Sequence, residues 1–261
     1  MSLTRKFYAD PYMHTRQFVF GILIAAGLCG LLYLIHYPEF YAFRFVWWNL
    51  LLIPLGFYIG GLSVVFIHNA THGSFPGRFL NWTCGQLAGM HQLWGFTNWK
   101  HMHLVHHQYS DDPDMDPHPP KDDTFWQYAR HTLAYSSAKI NDRYFEHWGN
   151  TPRSRAIIGS NFIAFIVMNL LNLLFWYLLL GPVGFWFFYL PSYFASQFIF
   201  MHINYFGHPK DQGAARSRPG NLDHKLYYRL ANTLWFGLYY HGNHHRRPML
   251  FNPKKMPAPT A

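Results

Sequence analysis

The sequence predicts an all-α integral membrane protein, with four transmembrane helices in two hairpins and a histidine-rich cap on the cytoplasmic side. Three observations carry this reading. Charged residues make up 13% of the 261 residues, against about 25% in an average soluble domain. Hydrophobic residues make up 50% and aromatic residues 20%, gathered in long uncharged runs. Most of the 18 histidines lie at the ends of those runs or in the polar segments between them.

A helical span needs about 20 apolar residues. Residues 17–36, QFVFGILIAAGLCGLLYLIH, fall in the charge-free interval between Arg16 and Glu39 and form the first span. Residues 46–68, VWWNLLLIPLGFYIGGLSVVFIH, form the second, between Arg44 and Arg78. The uncharged run between Arg155 and Lys210 is cut by Gly181-Pro182 into spans at 156–180 and 183–207, and a Gly-Pro pair fits a tight turn between them. Residues 79–99, FLNWTCGQLAGMHQLWGFTNW, are also uncharged but rich in Gly, Asn, Gln and Thr. A crossing there would put His72 and His103 on opposite sides, so an interfacial or re-entrant piece is expected.

Apart from Arg44, every Lys and Arg lies in the N-terminal segment, in 73–155 or after residue 208. The positive-inside rule makes these three regions and both termini cytoplasmic. The net charge of +9 then belongs to membrane orientation, not to nucleic-acid binding. Residues 1–261 read as one membrane-embedded domain without internal repeats. The start, MSLTRKFYADPYMHTRQF, has no apolar core followed by a cleavage site, so no removable signal peptide is expected. The end, NPKKMPAPTA, reads as a disordered tail. Cys29 and Cys84 make neither a disulfide framework nor a C-x-x-C metal site.

His68 and His72 are four residues apart at the inner end of span two, a spacing that puts both rings on one helix face. His103, His106 and His107 repeat it as H-x-x-H-H, as do His241, His244 and His245, and His208 stands at the inner end of span four. All nine fall on the same membrane face. Imidazole suits Fe, Zn, Cu and Ni, and nine ligands exceed one ion, so two metals with open positions are expected. Structural zinc favours closed four-coordinate sites and does not fit. Asp111, Asp112, Asp114 and Asp116 follow His107 closely enough to accept a ligand's second ring N–H, although a solvated loop accounts for any one of them. His14, His36, His91, His131 and His147 read as ordinary packing or solvated residues. His101, His118, His202 and His224 are open between packing and support of the ligands.

HNATH, HLVHH and HGNHH, in this order and topology, resemble the membrane-bound histidine-rich di-iron family of fatty-acyl desaturases, alkane and lipid hydroxylases and carotenoid ketolases. The resemblance runs from about residue 60 to residue 248. HNATHGSF with W-K-x-x-H-x-x-H-H reads most like the acyl-lipid desaturases. It implies two Fe ions held by the three boxes and one further histidine, with O2 as co-substrate. NYFGHP resembles the segment that carries that further ligand, which favours His208 over His202 and implies that Asn204 holds a water near one metal. Asn204, Asp111, Asp116 and Asn243 are the candidates behind the nine ligands. The substrate is expected to be an apolar acyl chain or membrane lipid. Two electrons come from outside, from a ferredoxin, rubredoxin or cytochrome b5 type of donor, since no haem module is fused within these residues. A hydroxylase or ketolase of a lipid, alkane or carotenoid is the alternative within the same chemistry. Outside it stands a membrane metal transporter or sensor, which needs ionisable groups within its spans.

Overall fold

Inside hydrocarbon, a backbone can satisfy its own N–H and C=O groups only as a helix or a closed barrel. The chain takes the first solution. The computed structural model describes residues 8–35, 37–119, 124–208 and 219–256, all helical or irregular, with no strand among them. His36, Pro209 and the last residues of the tail lie outside the described residues.

The helices are α1 Met13–Leu34, α2 Leu52–His72, α3 Arg78–His91, α4 Phe96–Tyr109, α5 Phe125–Trp148, α6 Pro152–Gly184, α7 Leu190–Gly207, α8 Leu226–Leu234 and α9 His241–Arg246. Three segments are long and apolar enough to cross a membrane: Met13–Leu34, Trp47–His72 and Pro152–Gly207. The third has 56 residues, about 84 Å if straight, against a hydrocarbon core of about 30 Å. It is not straight. Gly181 sits at φ 64°, ψ 174°, outside helical geometry, immediately before Pro182. Trp176 and Tyr189 stack at 5.3 Å, where an unbroken helix would hold them about 20 Å apart. The segment therefore folds back on itself at the Gly-Pro pair.

α1 packs along α6, and α2 along α7. Thr15 bonds Asn161 and a Cβ at Gly21 would meet Met168, so α1 and α6 run in the same direction. Cβ atoms at Gly56 and Gly60 would fall on the backbone carbonyls of Phe188 and Ser192, so α2 and α7 also run together, with their backbones nearly touching. Small residues four apart permit such close approach between helices in lipid.

α3 and α4 form a hairpin packed against these pairs. Its tip, Gln92–Gly95, carries positive φ at Leu93 (59°) and Gly95 (70°). The tip reaches the level of Ser192, where His91 Nε2 lies 2.8 Å from Ser192 Oγ. Gln92 Nε2 donates to Ser63 Oγ (3.3 Å) and Trp94 Nε1 to Gln197 Oε1 (3.2 Å), which satisfies polar groups in an otherwise apolar bundle. The expected 79–99 piece is thus two helices joined by a tight turn, with His91 and Trp94 packed against α7.

Two elements escape the hydropathy reading. α5 has no apolar run to mark it. It starts on a capping box between Thr124 and Gln127 and clamps the loop before it, with Ser136 and Tyr128 donating to the carbonyls of Pro117 and His118. The tail needs correction for its first half. Asn252 caps the turn Pro253–Lys255, Asn243 Nδ2 donates to the Pro253 carbonyl at 3.0 Å, and Pro253 is buried. Those asparagine bonds order a stretch whose proline content reads as disorder.

Candidate metal centre

All nine expected histidines converge at one end of the bundle, and they form two groups. His68, His72, His103, His107 and His244 make one; His106, His208, His241 and His245 make the other. Within each group one ring nitrogen per residue lies within 4.8 Å of all the others. His103 Nε2 is 3.0 Å from His72 Nε2 and 3.1 Å from His107 Nε2, and His107 Nε2 is 2.9 Å from His244 Nε2. In the second group, His241 Nε2 is 2.9 Å from His208 Nε2 and 3.1 Å from His245 Nε2.

Four elements supply these rings. α2 presents His68 and His72 from consecutive turns. α4 presents His103 and His107 to the first group and His106 to the second. α9 splits likewise, with His244 on one side and His241 and His245 on the other. α7 ends at Gly207, and His208 leaves helical geometry at φ −113°, ψ 77°, which frees its ring to turn inward. Gly207 packs tightly here, and a Cβ would press on the His241 ring. Gly242 of HGNHH lies against the Pro219 carbonyl and its N–H donates to Gly220. Asn243 differs from its expected place behind a ligand: its bonds go to Asn221 and Pro253 and seat the short helix.

Two aspartates stand behind the second group. His106 Nδ1 donates to Asp116 Oδ2 and His208 Nδ1 to Asp111 Oδ2, each at 2.9 Å. The carboxylates assign the N–H to Nδ1, so both Nε2 atoms carry their lone pair inward. Asp116 is fully buried and also accepts the backbone N–H of Asp111 (2.8 Å) and of His118 (2.9 Å), which shapes the loop. Asp111 sits at φ 63°, a left-handed conformation that Asp tolerates better than most residues. Asp112 instead accepts from the N–H groups of Asp114 and Met115, a loop role. Asn204 is buried, with Nδ2 donating to the Phe200 carbonyl at 2.8 Å, and it lines a small cavity of about 20 Å³ with His68, His103 and His241.

This donor set fits metal. A neutral imidazole has one N–H, so nitrogens that converge on one point cannot all donate, and their lone pairs repel unless a cation lies among them. Among the described residues the inward Nε2 of His106 is buried with no hydrogen-bond partner. Burial and then neighbouring imidazoles hold His103, His106, His107, His241 and His244 well below the usual histidine range, and push His245 down to about 2. The rings are therefore neutral, as ligands must be. Because these folded-state values lie below the unfolded value of about 6.5, the stability they protect is complete above that pH and is lost as pH falls through and below it. Metal-free protein should show a falling thermal midpoint from about pH 7 down to about pH 5. A midpoint flat across that window would contradict the burial of neutral rings.

The remaining histidines lie outside both groups. His202 Nδ1 pairs with the Tyr239 hydroxyl at 3.0 Å among Phe198 and Phe206. His14 and His101 pair with each other at 3.2 Å, on the far side of α4. His131, His147 and His224 are exposed. His118, open in the sequence, is fully buried and lies over His106 with ring centroids 4.4 Å apart, so it belongs to the surroundings of the second group. Trp99, at the start of W-K-x-x-H, is a further residue of the site. It is fully buried and stacks on His103 at 5.8 Å and 13°, walling the small cavity.

Compared with known families, the chain matches the fatty acid desaturase family over residues 45–257. No curated protein matches it.

Proposed function

Because the chain belongs to the fatty acid desaturase family, a family of oxidoreductases, we propose that it is an oxygen-dependent di-iron enzyme that desaturates fatty-acyl chains at the membrane. The observation that carries this reading is the pair of imidazole groups beside one cavity with an apolar wall of Val64, Trp99, Phe200, Ile203 and Leu238. The five-histidine group would hold one iron and the four-histidine group the other. Bound iron would supply the oxygen chemistry that removes two hydrogens from an unactivated carbon chain.

The protein's own residues do the rest. Asp111 and Asp116 orient His208 and His106 through Nδ1, which keeps Nε2 directed at the ion. Asn204, committed through Nδ2 to Phe200, keeps an oxygen able to accept from a water beside the four-histidine group. That water would fill the place that a fifth imidazole fills in the other group. Trp99 and Phe200 exclude bulk water from the reacting carbon. Leu238, next to the turn at Phe236 and Gly237 with positive φ, forms the wall on the α8–α9 side.

The fold-back at Gly181 supports reading Pro152–Gly207 as two crossings, which makes four in all. The ends of α2 and α7 and the starts of α1 and α6 then share the cytoplasmic face with the metal centre and both termini. Arg246, Arg247, Lys254 and Lys255 beside α9 suit an acidic ferredoxin, rubredoxin or cytochrome b5 that delivers the two electrons. The one-ended placement of the histidines disfavours a metal transporter, which needs ion-carrying groups at mid-depth.

Metal analysis and X-ray absorption on protein made in iron-rich medium test the reading. About two irons per chain, in a shell of nitrogen and oxygen, are expected. One metal per chain, or a sulfur shell, would overturn it.

A further inference from the structure

The close packing within α1–α6 and within α2–α7 does not extend between α1–α6 and the α3–α4 hairpin. Two adjoining cavities lie there, of about 130 and 150 Å³, and they share Phe18 and Asn98. The first is lined by Tyr8, His14, Asn98, Ser137, Asn141 and Asn161 among apolar side chains. The second runs along α1 from Gln17 to Leu28 and is bounded by Trp82, Leu87 and Met168. Both cavities of this trough therefore set neutral hydroxyl and amide groups beside apolar walls, the second carrying Gln17, Thr83, Gln86 and Asn172 next to Ile24 and Met90. Among the described residues no Lys, Arg, Asp or Glu lines either cavity, although Arg143 and Glu146 lie within electrostatic reach of Tyr8. Tyr8 is 6% exposed, and among the described residues its hydroxyl has no hydrogen-bond partner. A buried, unpaired hydroxyl is unfavourable unless something bonds it. At the mouth, Phe162, Leu87 and Trp82 face outward, on the surface that the spans offer to the bilayer. Trp94 and Trp99, edge to face at 6.2 Å, separate this trough from the cavity beside the histidines.

We propose that this trough is a second lipid site. Its occupant is a membrane glycerolipid, with an uncharged ester oxygen against the Tyr8 hydroxyl and the acyl chain running past Phe18 toward Leu28. An ester suits walls that offer neutral donors and no cation. The site is independent of the reacting cavity and needs no metal.

The test is photolabelling of the metal-free full chain in nanodiscs of phosphatidylcholine that carries a diazirine on one acyl chain, with mapping of the labelled residues. Label is expected at Ile24, Leu28, Gln86 and Met90, above the level at lipid-facing Leu23 and Leu31. Leu28→Trp, which fills the outer end at the bilayer surface, and Asn98→Phe, which fills the junction, should each lose most of that excess. Tyr8→Phe should lower the lipid retained by purified protein in native mass spectrometry. A diazirine free fatty acid should label the trough less than the phospholipid does, and stronger labelling by the acid would overturn the ester assignment. Equal label on trough and lipid-facing residues, or an excess that survives both filling variants, would overturn the site. Because the protein is metal-free, neither outcome depends on the desaturase reading.

Discussion

Replacement of His208 by Ala is expected to abolish turnover and release about half of the bound iron, since one of two ions loses a ligand. His208 belongs to the smaller group, where its Nε2 lies 2.9 Å from His241 Nε2. Removing it leaves three imidazoles there, and Asp111 then loses the ring it orients at 2.9 Å. The five-histidine group contains no residue in common with it, so the other ion should stay. His202, on the same helix, is the control. Its ring bonds Tyr239 and packs among phenylalanines away from both groups. His202→Ala should cost about 1 kcal/mol in hydrogen bonding and keep most of the iron and activity. Iron content and turnover on both purified variants decide the matter. Iron lost from His202→Ala but kept by His208→Ala would place the ninth ligand at His202.

The largest stability effect is expected at Gly60. A Cβ there would fall on the Ser192 carbonyl oxygen and close to Ala195, where the α2 and α7 backbones approach most closely. Backbone atoms cannot rotate away as a side chain can, so Gly60→Val must push the helices apart. Overpacking of a tight interface costs about 1–3 kcal/mol or more, a large part of a typical total stability of about 5–15 kcal/mol. The same displacement would carry His68 and His72 away from His103 and His244. Gly27→Val is the matched substitution, since nothing lies within 4 Å of a Cβ at that position. Thermal unfolding in detergent should show a much lower midpoint, and metal loss, for Gly60→Val only. Equal shifts in the two variants would mean that the α2–α7 contact does not hold the centre together.

The contrast between these two predictions shows what the sequence could and could not disclose. His208 was legible because local rules act on it: a span's end, a ring at a helix terminus, a distinctive NYFGHP. Keeping His72 and His103 on one side was legible too, and their Nε2 atoms lie 3.0 Å apart. The division of nine rings into five and four was not legible. It depends on how α4 and α9 rotate against α2 and α7, a tertiary fact that spacing does not encode. Gly56 and Gly60 stand four residues apart in plain view, yet the spacing alone names no partner helix. Trp99 looked like any aromatic in an aromatic-rich chain until its stacking on His103 gave it a place. Asn243 sits inside a histidine box, which invited a role behind a ligand, but its amide is used to seat α9 on Asn221 and Pro253. The first half of the tail orders for the same reason, through asparagine bonds that composition does not weigh.

The most direct test of the central claim is mass spectrometry of membrane acyl chains from cells that express the chain, compared with cells that express His103→Ala. The account predicts acyl chains lighter by two hydrogens, each with one new double bond, and their absence with His103→Ala. Acyl chains that gain an oxygen instead would assign the site to hydroxylation or ketone formation, and identical lipid profiles in the two strains would contradict acyl desaturation altogether.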